Sequence, residues 1–221
     1  MSMRGAAVPL LLTLSLLGCQ RHPEKGVVDQ YFNAVNAKDS QTLSSFAAVN
    51  FDKKVDRWEI KKTLDEQKSD APLQGLAQKA RDIQAQIDAN TKAARAYNMD
   101  HYGELDQLKA LKKGAPAPAK LSAVKAEWDK FNEKDRELKR ALAEARAAVE
   151  KEKRSVVRSV GQVDDVEGMA GEMKEKQIEL DLTIEGQTKP YVMTVRKYEM
   201  KRDAGPRMVS RWVVQSLTPK N

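Results

Sequence analysis

A single cysteine, Cys19, rules out any disulfide within the chain. Histidine is nearly as scarce: His22 and His101 are the only two, and neither has a second histidine or a cysteine at metal-ligand spacing. No glycine-rich phosphate loop, no G-x-S-x-G and no H-E-x-x-H occurs. Nothing linear therefore marks a metal centre, a cofactor site or a nucleophile, and the expected catalytic, metal and cofactor residues are none. Aromatic residues make up 5% of the chain, and no basic motif interleaved with aromatics occurs, so nucleic acid is not an expected partner. Beyond Cys19 no apolar run reaches the about 20 residues that a membrane-spanning helix requires.

What the chain has in quantity is periodicity. Apolar side chains fall at Leu73, Leu76, Ala80, Ile83, Ile87, Ala94 and Tyr97, with Asn90 in the one missing position. Further along they fall at Leu121, Val124, Trp128, Phe131, Leu138, Leu142, Ala145, Val149 and Val156, with Asp135 and Glu152 filling polar gaps. Alternating steps of three and four are the signature of a coiled-coil seam, in which a residue such as Asp135 fixes register. Between the two runs lies "LKKGAPAPAK". Gly114 suits the position just past a helix, and Pro116 and Pro118 forbid its continuation. At the other end Asp70 is placed to cap and Pro72 to open the first turn. Acid-to-base pairs four apart (Asp88 with Lys92, Asp135 with Lys139, Glu150 with Arg154) support the exposed faces. The pattern predicts an antiparallel coiled-coil hairpin over 72–155 with its tip at 114–119, roughly 55–60 Å long. Arms that supply their own seam are expected to be separable from the rest of the chain.

Charge is concentrated on this hairpin. Residues 73–159 hold 19 Lys/Arg against 13 Asp/Glu, a net of +6. Five lysines (Lys109, Lys112, Lys113, Lys120, Lys125) stand between Asp106 and Glu127 with no acid among them. Lys109, Lys112 and Lys113 lie at a helix C-terminus, where the dipole favours cations. Lys120 and Lys125 lie in the first turns of the next helix, where it does not. The excess predicts a tip that contacts something anionic: an anionic envelope component or an acidic protein.

The flanking segments, 19–71 and 156–221, read differently. Residues 24–37 place Val27, Val28, Tyr31, Phe32 and Val35 on one helical face, and short helical pieces are expected at 43–46 and 58–64. The period then changes to two: Ile178, Leu180, Leu182 and Ile184, a turn at "GQTKP", then Tyr191, Met193 and Val195, and a further strand in "RMVSRWVVQSL". Residues 156–163 are a possible additional strand, and "EGMAGE" at 167–172 reads as a loop. Helices followed by antiparallel strands make an α+β domain. The segment "VVDQYFNAVNAKD" (27–39) and the strands over 175–217 resemble the nuclear-transport-factor-two-like superfamily. That resemblance implies a curved sheet wrapped by helices into a cone, with Tyr31, Tyr191 and Tyr198 as aromatics that could face its interior; the long hairpin departs from the usual fold.

The N-terminus supplies an expected address. "MSMRGAAVPLLLTLSLLG" (1–18) carries one positive charge, Arg4, and an apolar run ending in Gly18, the form of a signal peptide. Leu16-Leu17-Gly18-Cys19 resembles the bacterial lipobox. The resemblance implies cleavage before Cys19, acylation of its thiol and new amino group, and attachment to a membrane through those chains. Gln20 in place of aspartate is similar to the outer-membrane sorting pattern, which implies an outer-membrane lipoprotein facing the periplasm. Together these features predict a non-enzymatic, lipid-anchored spacer or scaffold whose hairpin presents a basic tip. A small-molecule-binding or weakly enzymatic head, with the hairpin as its docking element, is the alternative.

Overall fold

The structure, a computed structural model, describes residues 23–111, 117–201, 208 and 210–220. It is α+β: helices pack on an antiparallel sheet, and two long helices leave that sheet together and turn back on each other.

Helix α1 (Pro23–Asn36) exists because Val27, Val28, Tyr31, Phe32 and Val35 share one face, and all five are buried. Helix α2 (Ser40–Phe46) is started by Asp39, whose Oδ1 accepts the Thr42 N–H at 2.9 Å, and it buries Leu43 and Phe46. The next segment was expected to be helical and is strand β1 (Arg57–Thr63). Half-buried Trp58 and Ile60 alternate with exposed neighbours, and a bulge between Ile60 and Lys62 breaks the alternation, which disguised its period. Strand β2 (Gln67–Asp70) is exposed throughout and holds its place only by pairing with the sheet, so Asp70 ends a strand rather than capping a helix.

The first arm is two helices rather than one. Helix α3 (Leu73–Asp100) gives way at His101 (φ −118°, ψ 28°), and α4 (Tyr102–Ala110) follows. Tyr102 and Gly103 are weak helix formers beside the break. Gly114, Pro116, Lys112 and Lys113 lie outside the described residues. After a single 3-10 turn (Ala119–Leu121), helix α5 (Ser122–Val160) runs 39 residues, about 58 Å. The strand expected over 156–163 is overturned, since α5 continues to Val160 and stops at Gly161, φ 88°. The valines there are β-branched, but Val149, Val156 and Val160 lie on the helix face that meets the sheet, and packing outweighs propensity.

Strands β3 (Ala170–Ile184) and β4 (Gln187–Lys201) form a long hairpin, turned by Glu185 (φ 51°) and Gly186 (φ 75°), so most of "GQTKP" is strand. Strand β5 (Val213–Pro219) pairs with β4, while β1 and β2 both pair with β3. The sheet is open, with β1 and β2 on one edge and β5 on the other. Part of "EGMAGE" belongs to β3: a Cβ at Gly171 would stand 2.5 Å from the Glu199 carbonyl oxygen, so glycine is what lets β3 lie against Met200.

The β3–β4 ribbon is buried on opposite faces at its two ends. Ile178, Leu180 and Leu182, with Tyr191, Met193 and Val195, pack under α1 and α2. Tyr198 and Met200, with Met173, point to the other face and pack against Leu73, Ala77, Val149, Val156 and Val160 of α3 and α5. Register between the strands is continuous from Ala170↔Lys201 to Ile184↔Gln187. The switch therefore arises from a change of phase in the apolar alternation, between Val195 and Tyr198, and not from a bulge. The boundary expected at 155/156 falls inside α5, and the root of the helical hairpin shares one hydrophobic cluster with the sheet. A third cluster, Ile83, Ile87, Leu142 and Ala145, continues the seam outward.

Candidate functional site

Three places carry the side chains that sequence or structure singles out: the hairpin root, its outer end, and one of its sides.

At the root, Glu152 occupies a seam position that looked like a tolerated polar gap. It is mostly buried, and its Oε1 accepts the Tyr198 hydroxyl at 2.7 Å. Arg196 Nη1 stands 4.0 Å from Glu152 Oε2, and Arg196 Nε donates to Glu175 Oε2 at 2.6 Å. Burial, reinforced by the Glu152 charge, holds the Tyr198 phenol well above its ordinary pKa. Past the end of β5, the Tyr198 N–H has no strand to bond; it donates to Ser159 Oγ at 3.0 Å, and Ser159 Oγ donates to the Arg211 carbonyl at 2.8 Å. The last turn of α5 thus takes the place of a missing strand. Arg158 and Arg211 complete the join by donating to the Ser44 and Ser45 carbonyls, each at 2.9 Å, at the C-terminus of α2.

The three tyrosines that could have faced one interior are not brought together. Tyr31 and Tyr191 lie in the cluster under α1, while Tyr198 lies on the opposite face of the sheet. Tyr31 is fully buried and donates to the Val49 carbonyl at 3.3 Å, and burial pushes its pKa up to about 12. Tyr31, Phe32 and Trp58 fill the space between α1 and the sheet, and Trp58 Nε1 donates to Asp29 Oδ1 at 2.8 Å. Sequence reasoning missed Lys176, which bonds Glu24 Oε1 at 2.6 Å and sits 5.3 Å over the Trp212 ring. The signal available was a lysine in phase with Ile178 and Leu180 on the buried face.

Of the tip residues, Lys109, Lys120 and Lys125 are exposed at the end of the hairpin remote from the sheet. Lys125 is ion-paired with Asp129 one turn along, which supplies the partner that its position near a helix N-terminus had not. Neither Lys109 nor Lys120 has an acidic partner among the described residues. Lys112, Lys113 and Cys19 lie outside the described residues. His101 stacks on Tyr97 at 4.4 Å at the α3–α4 break.

Along the hairpin, partners descend in α5 as positions ascend in α3. Gln84 meets Arg146 at 3.1 Å, Asn90 Nδ2 donates to the Phe131 carbonyl at 3.1 Å, and the Tyr97 hydroxyl donates to the Val124 carbonyl at 3.4 Å. The helices are therefore antiparallel. Asn90, the other polar gap, is satisfied across the seam. Leu142, Ala145 and Val149 are buried, whereas Val124, Trp128 and Phe131 are only partly covered and Met99 is 79% exposed. The seam is closed near the sheet, open around Trp128 and Phe131, and closed again toward the tip at Leu105 and Leu121.

Among the described residues no three histidine, cysteine or acidic side chains converge as metal ligands, and no helix is long and apolar enough to cross a membrane. Comparison with protein-family models, with curated proteins and with solved structures returns no match for this chain.

Proposed function

We propose that this chain is a lipid-anchored, non-enzymatic spacer of the bacterial envelope, held to a membrane by acyl chains on Cys19 and reaching a partner with its helical hairpin. The observation that carries the reading is the shared cluster at the hairpin root. Leu73, Val156, Tyr198 and Met200 are each fully buried, and burying side chains of this size contributes about 1.5–3 kcal/mol apiece. A hairpin rooted in that way moves with the sheet and transmits position, as a spacer must.

Within this reading the head is a nuclear-transport-factor-two-like cone, supported by α1 and α2 lying over one face of an antiparallel sheet. The hairpin is a two-stranded coiled coil, supported by its heptad seam and antiparallel pairing. Helix α1 begins at Pro23, four residues after Cys19, so the anchored head lies within about 14 Å of the acylated residue. Gln20 supports placement in the outer membrane, facing the periplasm. The tip lysines, Lys109, Lys112, Lys113, Lys120 and Lys125, then meet an anionic envelope component or an acidic protein.

The test is fractionation of a Cys19→Ala variant. The parent is expected in the membrane fraction and the variant outside it, or stalled as unprocessed precursor. A variant processed and fractionated like the parent contradicts the anchor.

A further inference from the structure

One side of the helical hairpin carries a groove that the seam does not fill. Its outer part, about 490 Å³, lies between Arg95 and Met99 on α3 and Trp128 and Asp135 on α5. Nearer the sheet the same side opens again, about 450 Å³, beside Ala77, Arg81, Arg146 and Glu150. The wall positions are 77, 84, 91 and 98 on α3, and 132, 139 and 146 on α5. Each series advances by one heptad, so both openings belong to one side of the helix pair. The Arg146–Gln84 hydrogen bond of 3.1 Å crosses between them.

Three arginines on this side, Arg81, Arg95 and Arg146, have no acidic partner among the described residues, whereas Lys139 on the same side is ion-paired one turn away. Along the groove Arg81 bonds only the amide oxygen of Gln78, at 2.8 Å, and Arg146 only that of Gln84. Arg95 has no ion-pair partner, and the Asp135 carboxylate is taken by Lys139 at 2.7 Å. Asp88 accepts from Gln84 at 3.1 Å. Three arginines face one carboxylate of the wall, Glu150, that has no ion pair among the described residues.

We propose that this side of the hairpin receives an amphipathic helix of a partner protein, with an apolar stripe and acidic flanks. Two antiparallel helices with an open heptad side form two walls of a three-helix bundle, and a third helix fits by the same interdigitation. Trp128, Phe131 and Met99 supply the apolar floor. Arg81 and Arg95 stand two heptads apart, about 21 Å along the axis, a spacing that carboxylates two heptads apart on the incoming helix reproduce. Guanidinium groups bind carboxylates in a two-pronged geometry that lysines do not offer. This contact lies on the flank of the hairpin and not on its tip, so it stands whether or not the chain is acylated and whether or not the tip lysines bind.

The test uses the full mature chain and two synthetic three-heptad helical peptides with the same leucine stripe, one flanked by glutamate and the other by lysine. Fluorescence anisotropy of the labelled peptides is expected to show the glutamate peptide binding about tenfold more tightly, weakening as salt is raised. Arg95→Gln, an exposed change, is expected to weaken that binding with melting temperature unchanged. Arg95→Glu combined with Arg146→Glu is expected to reverse the preference between peptides. Equal binding of the two peptides, or binding of neither, overturns the proposal. So does sedimentation of the chain as a dimer that Arg95→Glu dissolves, because the groove is then occupied by a second copy.

Discussion

The Tyr198 hydroxyl, on the sheet, and the Glu152 carboxylate, on the second hairpin arm, share a buried hydrogen bond of 2.7 Å. The bond links two parts of the chain that the sequence separates by a helix end, a loop and most of two strands. Replacing Tyr198 with phenylalanine leaves a buried carboxylate with Arg196 4.0 Å away as its remaining neighbour. The expected loss is about 1–3 kcal/mol. Tyr198→Ala also opens a cavity in the root cluster, with an expected loss of about 3–5 kcal/mol. Urea unfolding of the two variants against the parent checks both the order and the size.

Cutting the hairpin at two levels should give two outcomes. Replacing 84–144 by a short Gly-Ser linker keeps Leu73, Ala77, Val149, Val156 and Val160 against the sheet. That chain is expected to fold and to unfold cooperatively. Replacing 73–159 strips one face of Tyr198 and Met200 and removes Ser159 from the Tyr198 N–H. It is expected to lose its cooperative transition by circular dichroism. A cooperative transition in both would mean that the hairpin root is dispensable to the head.

High pH should unfold the protein through its buried phenols. Tyr31 keeps its proton in the folded chain up to about pH 12, against an ordinary value of 10.0. Between those values the unfolded chain has released a proton that the folded chain retains, so stability falls as pH rises. It is fully present below about pH 10 and lost through that window. Tyr198 shifts in the same direction. Tyrosinate absorbance is expected to grow in step with loss of the far-ultraviolet circular dichroism signal. In Tyr31→Phe the fall of stability with pH should be shallower.

At the tip, the five lysines should not be equivalent. Lys125 is neutralised by Asp129, so Lys125→Gln removes an exposed pair worth at most about 0.5 kcal/mol. It should change association with anionic vesicles little. Lys109→Gln and Lys120→Gln remove cations without acidic partners and should weaken that association, more so at low salt. Co-sedimentation measures the three variants side by side; a uniform effect would mean that net charge alone matters.

How much of this was legible follows from what each signal depends on. The alternation of Ile178, Leu180 and Leu182 and the helical period of the two hairpin arms depend on one buried face, so strand and helices were read correctly there. Strand β2 has no apolar residue, and nothing in Gln67–Asp70 marks a strand before its partner is known. Strand β1 was hidden by its bulge, and the last turns of α5 by their valines. Whether Tyr31, Tyr191 and Tyr198 could face one interior turned on the phase change after Val195, whose consequence is burial of Tyr198 on the opposite face. Glu152 could have been suspected, since a polar seam residue needs a partner. That its partner is Tyr198 depends on tertiary packing. The groove arginines were counted as part of an overall basic excess, and only their placement on one side separates them from solvated surface charge.

A spacer requires the hairpin to be a fixed extension of the sheet. The most direct measurement is the distance distribution between spin labels at Lys134, on the outer half of α5, and Gln67, on β2, in a Cys19→Ser chain. Both positions are exposed. A single narrow distribution is expected, broadening when Tyr198→Ala loosens the root. A broad distribution in the chain with Tyr198 intact would show the hairpin swinging freely on the head, and the spacer reading would be contradicted.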